Sequence, residues 1–448
     1  MGSARACPIP LTWSRLSVAA NVAISEQRPV NFVCPGRRAA AVSSHSRPGL
    51  RLLCDGKCLL YAGKHLQHST LAAMALPEPS GPLLLSLTAI PVSYMVNSMA
   101  AVSDPLVIAG MGVLVLLSLL VVLFFFAQGN PPKDPLFYVF AIFSFTSVID
   151  LIIWMEEDGY ISGFMEFYMK EGEPYLRTAH GMLICLWDGT VHYLLYLIML
   201  GAIAQGKNYK TVGLFWLGSL VMSMLVFLPG NVVGKYGTEV RPAFILNVPY
   251  LFLPVWAGMR IFREKHVLTK IPAEQITLAH KEGIFQRPVD SALILYLLGA
   301  ITFTLFRGLL ALDCPSDSCF TYIYQYEPYI RDPVAYPKVL MLVNMFYLLP
   351  FLCVSIYALL VPGCTWMLSW AVVYAGAMAQ AQFAHIGSSI YHRTPYTYRV
   401  PREAWWEFMI LNVLYTLGMQ LLAYRCVRNP AYFLRDTKQT VEEGKKQD

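Results

Sequence analysis

EGEPYLRTAHGMLICLWDGTVHYLLY, residues 171–196, is the stretch on which the fold turns. It starts with a loop motif and runs directly into an apolar segment long enough for a membrane helix. The motif EPYLR (173–177) returns as EPYIR (327–331), again just before a hydrophobic span. Two other pairs keep the same order. Phe145-Thr146 matches Phe303-Thr304, and ILNV-x-Y occurs at 245–250 and at 410–415. Three matched pairs with similar separations make a duplicated membrane domain. Four spans that return in the same order, an even number of crossings apart, make the repeat parallel rather than inverted.

Composition supports a membrane protein. The 448 residues are 56% hydrophobic and 14% charged, with mean hydropathy +0.49. A soluble domain of this size carries roughly a quarter charged residues. The net charge of +6 is concentrated in residues 1–73, where nine Lys/Arg face only Glu26 and Asp55. The remainder is close to neutral, so no nucleic-acid partner is expected. Residues 1–73 read as a transit-type or disordered extension rather than a signal peptide, with Met74 as the natural start.

About ten apolar segments follow, and backbone polar groups inside lipid require them to be helices. The expected fold is therefore an all-α polytopic membrane protein: a leading pair of spans followed by two parallel four-helix repeats. The leading spans cover 81–99 and 105–127, within 74–130. The first domain, 131–262, has spans over 135–155, 180–204, 211–233 and 241–262. A basic linker covers 263–287. The second domain, 288–427, has spans over 288–310, 335–361, 365–386 and 404–425. A tail, 428–448, closes the chain.

Basic residues orient the bundle. Lys207 and Lys210, the linker, and the tail with Arg428, Arg435 and Lys438 fall on one side, read as cytosolic. Both EPY loops then lie on the lumenal side, near the acids Glu156, Glu157, Asp158, Asp313 and Asp317. The basic loop with His392, Arg393, Arg399 and Arg402 conflicts, because it lands on the lumenal side too. Cys314 and Cys319 share one loop and can pair if that loop is lumenal. The other membrane-region cysteines, Cys185, Cys353, Cys364 and Cys426, read as small apolar residues. No Cys/His cluster has metal-ligand spacing, and neither a metal nor a cofactor is expected.

Ionisable residues at membrane depth are costly and suggest function. Asp150 lies in 135–155; His180, Trp187, Asp188 and His192 share 180–204. Helical spacing is expected to place the latter four on one broad face. A histidine held by a carboxylate, a second acid–base group and an aromatic wall are what isomerising a carbon–carbon double bond requires. Asp150, His180 and Asp188 are the catalytic candidates on that reading. The competing reading is interhelical glue, worth about 1 kcal/mol per hydrogen bond. For His180 and His192 the structural role ranks first. The second repeat is poorer in such groups: Arg307 and Gly308 stand where Asp150 would fall. Gln380, Gln382 and His385 form a polar stripe read as glue. Trp405, Trp406, Tyr391, Tyr396 and Tyr398 read as an interfacial aromatic belt.

Together, EPYLRTAHG…WDGTVHYLLY, FLPGNVVGKYG, RPAFILNVPY, LDCP, YEPYIRDPVAYPK and HRTPYTYRVP resemble the transmembrane 6 superfamily from about Ala75 to the end. That family is built from two repeats similar to the emopamil-binding sterol isomerase and sigma-2 receptor domain, known as EXPERA. The resemblance implies an endoplasmic reticulum protein that promotes triglyceride loading and secretion of apolipoprotein-B lipoproteins and controls lipid-droplet content. The isomerase pattern is altered here. Asp150 and Trp154 stand nearest its His–Glu pair, and His180 falls on its second Glu ahead of Cys185-Leu186-Trp187. Asn247 with Tyr250, and Asn412 with Tyr415, resemble its Asn-x-x-Trp. Trp187, His192, Asn247, Tyr250, Asn412 and Tyr415 are the lipid-contact candidates that follow.

The chain ends Lys445-Lys446-Gln447-Asp448, which looks like a dilysine retrieval signal on a cytosolic tail. Its address is the endoplasmic reticulum, with the intermediate compartment towards the Golgi as a second station. Expected partners are membrane lipids or sterols, lipoprotein-assembly proteins and the coat machinery that reads the tail. A lipid-binding accessory protein is the preferred function. A sterol isomerase and a lipid transporter or scramblase are the alternatives.

Overall fold

The computed structural model describes residues 80–99, 104–129, 131–264 and 271–435, which form helices, turns and loops with no strand among them. The extension 1–73, the lysines 445 and 446, and Lys265, Lys270 and Lys438 lie outside the described residues.

The helices run in order α1 Ser80–Leu87, α2 Ala89–Ser98, α3 Pro105–Ala127, α4 Leu136–Glu157, α5 Ala179–Ala204, α6 Lys210–Val233 and α7 Pro242–Arg263. The linker contributes α8 Ala273–Lys281. The second half has α9 Pro288–Ala311, α10 Asp317–Gln325, α11 Tyr336–Leu360, α12 Met367–Ile390 and α13 Trp405–Arg428. Eight of these are long and apolar enough to cross a membrane: α3 to α7, α9, α11 and α13. The expected span 81–99 is instead two short helices broken at Thr88. Pro91 explains the break, since its ring clashes with the carbonyl four residues earlier and it donates no hydrogen bond. The expected span 365–386 is the continuous helix α12, shifted to end at Ile390 and made more polar by Gln380, Gln382 and His385.

The two repeats meet where α6 crosses α12. A Cβ on Gly218 would lie 1.7 Å from the Val373 carbonyl oxygen, and one on Gly376 would lie 2.0 Å from that of Phe215. The same spacing separates Gly218 from Gly376 and Phe215 from Val373. The contact is therefore reciprocal, as a two-fold relation between parallel repeats requires, and only glycine lets the backbones approach this closely.

Each repeat closes on itself in the same way. Its fourth helix is tied to the N-terminal end of its first by an Arg–Asp pair, with Asp134 in the turn just before α4 and Asp290 in the first turn of α9: Arg260 Nη2 to Asp134 Oδ1 at 3.3 Å, and Arg425 Nε to Asp290 Oδ1 at 2.7 Å. One tyrosine hydroxyl per repeat bonds a first-helix threonine, Tyr250 to Thr146 and Tyr415 to Thr304. One asparagine amide donates to the EPY glutamate, Asn247 to Glu173 at 2.6 Å and Asn412 to Glu327 at 3.4 Å. The second helix of each repeat also contains one π turn, Asp188–His192 in α5 and Asn344–Leu348 in α11.

The EPY loops and the 391–398 loop gather at one end of the bundle. There Arg393 Nη1 binds Glu157 Oε1 at 2.7 Å and Tyr391 donates to Asp158. Arg393 is thus held by acids of the first repeat, while this loop's basic residues still run against the orientation count, in which acids carry little weight. Cys314 and Cys319 are disulfide-bonded, with Cα atoms 6.1 Å apart. The short helices α1 and α2 pack on α4, and α3 packs on the turn that opens α7, so the leading segments belong to the first repeat.

Candidate functional site

A cavity of about 190 Å3 lies between the leading helices and the first repeat. Val92 and Val96 of α2, and Ile108, Met111 and Val115 of α3, wall its apolar side. Asp150 of α4, Asp188 of α5, Glu173 of the EPYLR loop, and Asn247 and Tyr250 of α7 make its polar end. Apolar walls with a few convergent polar groups are the usual make-up of a small-molecule site.

The EPYLR segment is more than a loop marker. Pro174–Arg177 forms a 3-10 turn that directs Glu173 inward, where it is 4% exposed. Its carboxylate accepts from Tyr168 Oη at 2.8 Å, Tyr175 Oη at 2.5 Å and Asn247 Nδ2 at 2.6 Å. Burial pushes the Glu173 carboxyl above its ordinary value, against the pull of these three donors.

Asp188 opens the π turn of α5, and its Oδ1 lies 2.6 Å from His192 Nδ1. His192 Nε2 in turn is 2.7 Å from Ser219 Oγ, to which Trp187 Nε1 donates at 2.9 Å. The order carboxylate, imidazole, hydroxyl is that of an acyl-transfer triad. Ser219 is fully buried and outside the cavity lining, so the chain braces Asp188 and presents no nucleophile. Asp150 has no hydrogen-bond or ion-pair partner among the described residues. It lines the cavity.

The expected single face carrying His180, Trp187, Asp188 and His192 divides in two. The His180 ring stacks on Tyr336 of the second repeat at 4.5 Å, and Trp187 packs on Phe383 of α12 at 4.9 Å. Neither lines the cavity. Consecutive helical residues lie about 100° apart. A helix that turns Trp187 to α12 therefore turns Asp188 away, into the cavity. Of the catalytic candidates, the structure brings together Asp150 and Asp188 and leaves His180 at the interface between repeats. Of the lipid-contact candidates, it places Asn247 and Tyr250 in the lining and His192 behind Asp188. The Tyr250 ring stacks on Phe143 at 4.5 Å.

Asn412 and Tyr415 occupy the corresponding place in the second repeat, where a different arrangement holds. Arg307 donates from Nε to Glu327 Oε2 at 2.9 Å, from Nη2 to Glu327 Oε1, and from Nη2 to Asn412 Oδ1 at 2.7 Å. Its Nη2 also lies 3.2 Å from His385 Nε2. Burial alone would raise the Glu327 carboxyl, but Arg307 and His385 overcome it and hold it well below the usual carboxylate range. Glu173 in the cavity and Glu327 at the matching place of the second repeat are the residues that sequence reasoning passed over. The signal for them was the glutamate kept in both EPY motifs together with the asparagine kept in both ILNV motifs.

Two family models match the chain. One is described as Transmembrane 6 superfamily member 2-like, transmembrane domain, over residues 88–272, and the other as EXPERA (EXPanded EBP superfamily), over 319–426. The first takes in α2, α3 and the first repeat together, as the cavity does. Transmembrane 6 superfamily member 2 of Homo sapiens is 57% identical over 361 residues, covering 80% of this chain and 96% of the relative. The protein of the same name from Rattus norvegicus is 53% identical over 377 residues, covering 84% and 100%. No solved structure matches. With relatives this similar over nearly their whole length, the chain belongs to the transmembrane 6 superfamily, resembles its member 2, and carries an EXPERA domain in its second half.

Proposed function

We propose that this protein binds a sterol or glyceride-type lipid in the first-repeat cavity and is an accessory factor of lipid metabolism in the endoplasmic reticulum membrane. On this reading it promotes triglyceride loading and secretion of apolipoprotein-B lipoproteins and controls lipid-droplet content. It does so in contact with lipoprotein-assembly proteins and with the coat machinery at its dilysine tail. The observation that carries the reading is the cavity itself: an apolar chamber with one unpartnered carboxyl, Asp150, at its polar end. The hydroxyl or ester end of a neutral lipid would meet that group while its hydrocarbon runs out of the cavity along the side formed by α2 and α3. The family resemblance supplies the physiological role. The Cys314–Cys319 bond supports a lumenal EPY end and hence a cytosolic C-terminus, because disulfides persist in oxidising compartments.

An isomerase would need a proton donor and an acceptor on the two sides of a bound alkene. With His180 turned out of the cavity, the acid–base set expected for that chemistry is incomplete, and binding is the better-supported reading. The test is to purify the full chain in mild detergent, extract and identify retained lipid, and incubate the protein with a delta-8 sterol. Retained sterol or glyceride that drops about tenfold in Asp150→Asn, with no turnover of the sterol, is the expected result. Turnover that disappears in Asp150→Asn would establish the isomerase instead, and a lipid-free protein would remove the binding reading.

A further inference from the structure

We propose that the second repeat contains a closed copy of the first-repeat cavity, filled by the Arg307 side chain, so that each chain takes one lipid and not two. The inference rests on the reading of the first cavity given above.

Pairing Phe145-Thr146 with Phe303-Thr304 sets Ile149 against Arg307 and Asp150 against Gly308. Ile149 and Asp150 both line the open cavity. At the matching place Arg307 is 2% exposed, with its guanidinium carbon 4.2 Å from the centre of the Phe303 ring, and Phe303 is the partner of the cavity-lining Phe145. The guanidinium thus lies where a ligand's polar end would lie in the first repeat. It takes up both groups that the two repeats share at this point, the EPY glutamate and the ILNV asparagine.

The neighbouring positions have changed in the same sense. A Cβ at Gly308 would meet the Met345 sulfur at 2.4 Å, so a thioether occupies the space into which the Asp150 carboxyl projects in the first copy. Asn344, the first residue of the second π turn, stands where Asp188 opens the first. Two carboxylates are gone and one internal cation has been added. A buried guanidinium with a bidentate carboxylate and an amide has little reason to yield to a neutral lipid, because leaving would strand both charges. The first copy has no such plug, and the leading helices wall it instead.

The test counts lipids on the intact chain. Detergent-solubilised full-length protein is saturated with deuterated cholesterol and with dioleoylglycerol, and bound lipid per chain is read by native mass spectrometry. The wild type should saturate at one. The charge-balanced variant Arg307→Leu/Glu327→Gln should gain a second, and Ile149→Arg, which moves the plug into the first repeat, should lose the first. Two lipids on the wild type would overturn the plug while leaving the first cavity intact as a site. A folded double variant that still stops at one would also overturn it. No lipid on the wild type would overturn the reading of the first cavity, and this proposal with it.

Discussion

Arg307 grips Glu327 through both Nε and Nη2, and the two side chains are only 2% and 1% exposed. Removing one partner of a buried pair leaves an uncompensated charge, which costs about 3–5 kcal/mol. Arg307→Leu should therefore lower the thermal midpoint sharply in detergent. Arg307→Leu/Glu327→Gln, which removes both charges, should recover most of the loss. Equal midpoints for the single and double variants would show that the pair is not held as described.

The two EPY glutamates should respond to pH in opposite directions. Glu327 is held below its ordinary value of 4.5, so its contribution is complete above that value and is lost as pH falls through the lower folded one. Glu173 is raised above 4.5, so its contribution is complete below that value and is lost as pH rises through the higher folded one. Thermal midpoints measured across pH should lose their acid-side fall in Glu327→Gln and their fall on the rising side in Glu173→Gln. A wild-type profile unchanged by either variant would contradict both assignments.

Gly218 and Gly376 should tolerate no side chain. Overpacking a core costs about 1–3 kcal/mol, and more where the obstacle is a backbone carbonyl that cannot swing aside. Gly218→Ala and Gly376→Ala should each lower the midpoint by a similar amount, since the contact is reciprocal. Gly110→Ala is the control, because a Cβ there meets nothing within 4 Å. If all three variants unfold together, the crossing is looser than the structure places it.

Lys445 and Lys446 act, on the retrieval reading, as an address at the end of a cytosolic tail. Changing both to Ser should let the protein leave the endoplasmic reticulum, with the change visible by fluorescence microscopy and by glycan processing on a lumenal reporter. Unaltered distribution would mean that retention resides elsewhere in the chain.

Hydrophobic periodicity and duplicated motifs were enough to read the class of fold, because lipid forces each apolar run of about 20 residues into a helix. They were not enough at positions 81–99. There the apolar composition is right, but Pro91 divides the helix, a local backbone effect that a count of apolar residues does not register. For the site, Asp150 and Asp188 were legible as polar groups in apolar surroundings, and Asn247 and Tyr250 through the resemblance to an Asn-x-x-Trp pattern. His180 was equally polar, and only its stacking on Tyr336 separates it from them.

The amino-acid sequence by itself determined a duplicated, parallel, all-helical membrane domain, because spacing and hydropathy are properties of single segments. Tertiary structure decided where the cavity beside Asp150 lies and what surrounds Arg307. Ile149 and Arg307 sit at matched positions in similar helices, and neither residue type states whether the space beside it is open or filled. That depends on Glu327, Asn412 and His385 converging from three other segments on one guanidinium, and on α2 and α3 walling the first repeat. Charge satisfaction in a water-poor interior is a property of the assembled neighbourhood, and it sets the two similar repeats apart, with a cavity beside Ile149 and a packed guanidinium at Arg307.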